Sequence, residues 1–227
     1  MLCYKNGALA RELVRDRYAS KDWTTFNSLI ENTPPGNDGY MGLYYPLHEI
    51  IPRNAIGEYF FLNGDLIPPF QDKRYHPRAI MESQLLSIKS RIMSILPSDA
   101  APLKRLILTG GSSANEVIRQ MIGDILNLDT YTAESKEGGS IGGALLAMHA
   151  WWKQQRTNGD LADMKRELRG YGLKLVSRPN ADRAKFYENM VSLYRKCEEK
   201  VVELSDKSAK GMLNLHVDST GASVHIR

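Results

Sequence analysis

The sequence predicts an α/β protein, and three stretches carry that prediction. "LILTGGSSANEVIRQM" (Leu106 to Met121) runs from β-favouring residues through a glycine pair into apolar residues at helical spacing. "GEYFFLNGDLIPPF" sets Asn63-Gly64, a hairpin turn signal, between two apolar runs. "ADRAKFYENMVSLYRKCEEKVVELSD" spaces its apolar residues along one face of a long helix.

In chain order, Leu2 to Lys5 reads as a short strand, turned at Asn6-Gly7 into a helix over Ala8 to Tyr18. Ser20 or Asp22 is placed to start a second helix, which Pro34, Pro35 and Gly36 stop. "YMGLYYPLHEIIP" is extended and tyrosine-rich up to Pro46, and the Asn63-Gly64 hairpin follows. From Pro77, residues Ile80, Met81, Leu85, Ile88, Ile92 and Ile95 mark a long helix that ends at Pro97. Leu106 to Leu108 is a strand, and Ser112 or Ser113 is placed to cap the helix that carries Val117, Ile118, Met121, Ile122 and Ile125. "DTYTAES" is a further strand. Gly138 and Gly139 open a helix whose Gly142, Gly143, Ala144 and Ala147 suit close packing on a neighbour. Lys153 to Ala181 is charged and turn-rich, with one short helix in "DLADMKRELRGYG". The last long helix buries Phe186, Met190, Leu193, Tyr194, Cys197 and Val201, and residues 205–227 read as a loose polar tail.

At 227 residues and 42% hydrophobic content the chain can bury a core. The net charge of +4 is spread along the chain without a basic block, so it argues against nucleic acid as a partner. Cys3 and Cys197 form no C-x-x-C pair, and the five histidines form no close ligand set, which predicts reduced thiols, a cytoplasmic location and no metal held by the protein alone. No apolar stretch reaches spanning length, so no membrane partner is expected.

The glycine turn is the one stretch that suggests a ligand. Gly110 and Gly111 admit backbone torsions and close approaches that a side chain would block, and a helix start behind them aims amide hydrogens at the turn. A phosphate, a ribose or a purine edge suits such a place. The stretch is neither G-x-G-x-x-G nor G-x-x-x-x-G-K-[ST], so an ordinary strand–turn–helix junction remains the competing reading.

Six segments in order resemble the FGGY carbohydrate kinases, and within them the eukaryotic-type xylulokinases: "LCYKNGALAREL", the helix carrying Trp23, "GYMGLYYPLHEIIP", "RAIMESQ", "LTGGSSANEVIRQM" and "GGSIGGALLAMHA". The resemblance covers Leu2 to Leu204. It implies the C-terminal, nucleotide-binding half of a two-domain sugar kinase of actin-like (ribonuclease H-like) ATPase fold, with Mg2+ carried on the ATP. By the same resemblance Gly110, Gly111 and Ser112 lie along the adenosine, Asn115 contacts the adenine region and Trp23 walls the pocket. A side-chain amide suits a purine edge and an indole face suits a flat base; a core role for Trp23 and a capping role for Asn115 stand beside those readings.

The resemblance also defines departures. Such kinases place their phosphate loop, sugar-reading residues and catalytic aspartate in segments that precede the part matched here. The expectation is therefore an N-terminally truncated domain over residues 1–204, inactive alone, that meets D-xylulose only with an N-terminal half and self-associates or docks on such a half. Asp38, Glu49, Glu82, Asp124 and Glu134 are the acids from which another base would have to come, and no spacing selects one, so no catalytic residue is assigned. The alternatives are a non-catalytic nucleotide-binding or interaction module and an unrelated α/β binding domain that shares only the turn chemistry.

Overall fold

The computed structural model describes residues 1–97, 99–133, 138–155, 159–167 and 173–218; of residues 112, 167 and 208–218 only the backbone is described. The chain divides into two units, Met1–Asp99 with Lys185–Arg227, and Ala100–Ala184.

In the first unit α1 (Gly7–Tyr18) and α2 (Trp23–Glu31) precede an antiparallel sheet of β1 (Tyr40–Tyr45), β2 (Gly57–Leu62) and β3 (Asp65–Ile67), in that order. The β2–β3 turn is the expected one: Asn63 at φ 52° and Gly64 at φ 90° give the two left-handed torsions that a tight hairpin needs. The helix α3 (His76–Ile95) packs on β1 and against α1 and α2. Leu43, Phe61, Ile80, Met81 and Leu86 are 0–1% exposed and form this core.

Arg78 and Glu82 form a buried ion pair in the unit. Arg78 of α3 donates to Thr33 Oγ1, the Ile30 carbonyl, Glu82 Oε1 and the Tyr187 hydroxyl, and Glu82 Oε1 also accepts from the Gly36 amide at 2.9 Å and from Tyr187 at 2.7 Å. His76 stacks on Tyr18, with ring centres 3.6 Å apart, and its Nδ1 lies 2.7 Å from the Tyr44 hydroxyl. The last helix, α7 (Ala181–Asp218), buries Tyr187, Met190, Tyr194, Cys197 and Val201. Phe186, expected inside, is 43% exposed, because Tyr187 turns inward to bond Arg78 and Glu82.

Two other expectations change in this region, and one open alternative is decided. Leu2 to Tyr4 form no strand, because the Lys5 and Asn6 amides are taken by the Glu49 carboxylate at 2.6 and 3.0 Å rather than by a ladder. The second helix starts at Asp22, whose Oδ2 accepts from the Thr25 amide at 2.7 Å, while Ser20 sits at φ 54°. The stretch from Ser205 continues α7 as far as Asp218 instead of trailing as a loose tail, and residues 219–227 lie outside the described residues.

The second unit holds a sheet ordered β4 (Leu106–Leu108), β5 (Thr130–Ala133) and β6 (Leu173–Ser177). The strand β4 is parallel to β5, joined to it through α4 (Glu116–Leu126), and β6 is antiparallel to β5. No strand is expected from sequence at β6, since "LKLVS" sits in a charged, turn-rich stretch and is paired only by tertiary contact. The helix α4 buries Ile118, Met121, Ile122 and Ile125, as its apolar spacing predicts.

The helix α5 (Gly138–Gln155) departs from expectation. Instead of letting a neighbour approach, Gly138, Gly139, Gly142 and Gly143 have, among the described residues, no atom of another element within 4 Å of where a Cβ would stand. Trp152 is the buried residue of the helix, while Leu146 and Trp151 are 62% and 61% exposed. The short helix expected in "DLADMKRELRGYG" is α6 (Leu161–Glu167), with Met164 buried.

Candidate functional site

The glycine turn follows β4 directly. Gly110 takes φ 82°, a torsion that glycine enters at no steric cost. Its carbonyl accepts from the Ser113 amide at 3.1 Å and from Ser113 Oγ at 2.6 Å, and Arg119 Nη1 donates to the Ser113 carbonyl at 3.1 Å. Ser113 and Arg119 thus close the 3-10 turn Gly111–Ala114 with bonds that leave the glycines bare. Gly110 and Gly111 are exposed, and a methyl group at either would meet, among the described residues beyond its chain neighbours, no atom within 4 Å. The backbone of Ser112 lies in the same turn.

Asn115, not Ser112 or Ser113, caps α4. Its Oδ1 accepts from the Ile118 amide at 3.1 Å, and its carbonyl accepts the first helical bond, from the Arg119 amide at 3.0 Å. Both serines fall one turn too early because the 3-10 turn intervenes. The helical geometry gives the Glu116 and Val117 amides no acceptor within the helix, so they carry the positive end of the α4 dipole at the glycine turn. Four of the sequence candidates, Gly110, Gly111, Ser112 and Asn115, are therefore gathered within one turn of backbone in the second unit.

Trp23 lies in the first unit, as the first residue of α2. The Asp22 cap, bonded to the Thr25 amide and to Thr25 Oγ1 at 2.8 Å, fixes the backbone at its root. The half-buried indole meets buried Phe26 at 5.2 Å and 77°, and the Arg15 guanidinium carbon lies 4.7 Å from the indole centre. The sequence reading did not single out Arg15, which is eight positions from Trp23 on another helix, nor Arg119, whose grip on Ser113 is visible only once the turn has folded.

The acids left open by the sequence have structural tasks. Glu49 accepts from the amides of Lys5, Asn6 and Ile50 and from Asn6 Nδ2; burial acts to raise its carboxyl, but these donors outweigh it and hold the group below the ordinary carboxylate range. Glu82 is bound to Arg78, Tyr187 and Gly36, and burial pushes its carboxyl up against the pull of Arg78. Asp124, 2% exposed, accepts from Gln120, the Asn180 amide and Arg183. Asp38 accepts from the Tyr75 hydroxyl at 3.3 Å, and Glu134 lies outside the described residues. Among the described residues no group of three or more His, Cys, Asp or Glu side chains is placed to hold a metal ion, and no helix is long and apolar enough to cross a membrane.

Residues 69–151 match the C-terminal domain of the FGGY family of carbohydrate kinases. Xylulose kinase 2 of Arabidopsis thaliana is 33% identical over 220 residues, which cover 89% of this chain and 39% of that protein. The xylulose kinase of Mus musculus is 30% identical over 149 residues, 66% of this chain and 27% of the mouse protein. In structure, the xylulose kinase from Lactobacillus acidophilus matches with a TM-score of 0.74 at 18% identity, over 90% of this chain and 40% of that one. Plasmodium falciparum glycerol kinase with ADP matches with a TM-score of 0.61 at 19% identity, over 87% and 37%. The chain spans less than half the length of each of these proteins.

Proposed function

Because the chain belongs to the FGGY family of carbohydrate kinases, we propose that it supplies the nucleotide-binding side of an ATP-dependent sugar kinase of the xylulose kinase type. Its fold is that of the family's C-terminal, actin-like ATPase half. ATP brings the phosphoryl group that a sugar hydroxyl accepts and carries Mg2+ on its phosphates. The observation that carries the reading is the exposed backbone at Gly110 and Gly111, braced through Ser113 and Arg119 and open to a flat ligand. The adenosine lies along these glycines and the Ser112 backbone, and Asn115 meets the adenine region.

D-xylulose is the proposed sugar, supported by the names of the curated relatives. The 227 residues alone are proposed not to turn over, since every described acid among the sequence candidates is engaged within the fold and the chain spans 39% of the first relative. The exposed Leu146 and Trp151 of α5 favour a second reading, an interaction module that docks on a kinase half.

The test is calorimetric titration of the purified chain with Mg-ATP and Mg-ADP, alongside Asn115→Ser. Serine caps a helix about as well as asparagine, so this variant removes the amide and keeps α4. Binding that weakens in the variant supports the reading; no binding by well-folded protein defeats it, and robust phosphorylation of D-xylulose by the chain alone defeats the claim of inactivity.

A further inference from the structure

The first unit holds a cavity of about 170 Å3 between the N-terminal segment, β1 and α3. All its lining residues belong to that unit, and none is a residue proposed to meet the nucleotide. Aliphatic side chains form much of its wall: Leu43 of β1 and Ile80 and Leu85 of α3 are buried, and Ile88 is half-buried. Close packing leaves few voids larger than a water molecule, and apolar cavities of about 150 Å3 stay dry and take up a benzene-sized molecule. Several polar groups at the wall are taken by short bonds. The Tyr44 hydroxyl lies 2.7 Å from His76 Nδ1, the Tyr194 hydroxyl donates to Glu198 at 2.8 Å and Arg11 donates to Gln84 at 2.7 Å. Tyr4 and Ser87, which also line the cavity, differ: Ser87 Oγ donates to the Tyr4 hydroxyl at 3.2 Å, long for a bond between hydroxyls, and that bond does not use the Tyr4 proton.

We propose that this cavity is a binding site for a small neutral phenol, one aromatic ring with one hydroxyl. The ring lies against Leu43, Ile80 and Leu85. The hydroxyl bridges Tyr4 and Ser87, accepting from the Tyr4 phenol and donating to Ser87 Oγ, so that each of the three oxygens gives one proton and accepts one. Burial raises the Tyr4 and Tyr45 phenols above their ordinary range, which marks surroundings that disfavour charge; a neutral phenol suits the space and a carboxylate does not. A sugar does not suit it either, since it carries a hydroxyl on nearly every carbon and aliphatic walls offer those groups no partner.

The experiment is calorimetric titration of the whole 227-residue chain with phenol and with toluene, which matches phenol in size but lacks the hydroxyl. The parent is compared with the double variant Tyr4→Phe with Ser87→Ala and with Ile88→Phe, and thermal unfolding of each checks folding. The parent is expected to bind phenol at one site. In the double variant the ratio of phenol to toluene affinity is expected to fall about fivefold, the factor for one hydrogen bond, while toluene binds as before. Ile88→Phe is expected to weaken both ligands by at least the same factor, because the larger side chain takes up part of the space. If the double variant fails to fold, Ser87→Ala alone decides, with a twofold fall in the ratio as its threshold. Absence of phenol binding by the well-folded parent overturns the proposal, and so does an unchanged ratio in the variant that lacks the hydroxyls. Unaltered phenol affinity in folded Ile88→Phe overturns the placement. Displacement of bound phenol by D-xylulose or Mg-ADP overturns it too, since the cavity would then belong to one of those ligands.

Discussion

Gly110 and Gly111 are neighbours in sequence and opposites in what a side chain would do to them. Gly110 holds φ 82°, so Gly110→Ala forces an L-residue into the left-handed region and costs about 1–2 kcal/mol of stability. Gly111 is not among the positive-φ glycines, and a Cβ there meets nothing within 4 Å, so Gly111→Ala stabilises by about 0.4–1 kcal/mol through the unfolded chain. The sharper variant is Gly111→Leu. Its Cβ enters open space and the position is exposed, so stability is expected to stay within about 0.5 kcal/mol of the parent. The isobutyl group occupies the surface along which the adenosine is proposed to lie, and nucleotide affinity falls at least tenfold, about 1.4 kcal/mol. Urea unfolding and calorimetric titration with Mg-ADP read the two effects on one preparation. Unaltered affinity in a stably folded Gly111→Leu protein would refute the placement of the adenosine. A loss of more than about 2 kcal/mol of stability would refute the open turn itself.

Two further predictions concern the first unit. Burial, with the Arg17 guanidinium nearby, pushes the 1%-exposed His76 imidazole down from 6.5 to about 4, so the unfolded chain binds its proton first on acidification. The stability this contributes is complete above pH 6.5 and falls by up to about 3 kcal/mol on the way to pH 4; urea unfolding across that range should show a steeper slope for the parent than for His76→Phe, and parallel slopes would sink the idea. Glu82→Ala strands the Arg78 charge and removes the acceptor of Gly36 and Tyr187, costing about 3–5 kcal/mol in chemical denaturation, and a loss under about 1 kcal/mol would mean that the cluster is dispensable.

Local chemistry made much of the fold legible. Asn63-Gly64 announces its hairpin, Pro97 ends α3 and the spacing of Ile118 to Ile125 marks the buried face of α4, each through interactions that span a few residues. What stayed hidden depends on residues far apart. The strand β6 exists because β5 offers an edge, Tyr187 displaces Phe186 because Arg78 and Glu82 need a hydroxyl, and Arg15 reaches Trp23 from another helix. At the candidate site the glycine pair was visible as a motif, but the 3-10 turn that moves the cap from the serines to Asn115 was not, because a single residue type does not reveal how many residues a turn consumes.

Glu49 gives the first six residues an unusual kind of order. Three amide protons from two regions more than forty positions apart, those of Lys5, Asn6 and Ile50, converge on one carboxylate. In a ladder such amides would be released one rung at a time as the end frays. Here one side chain serves all three, so its departure strips the entry into α1 and the bend after β1 of acceptors at the same moment. The Asn6 side chain keeps a second hold, donating to the Leu47 carbonyl at 2.8 Å and accepting from the Leu47 amide at 2.9 Å, so the two regions stay tied until both moorings go.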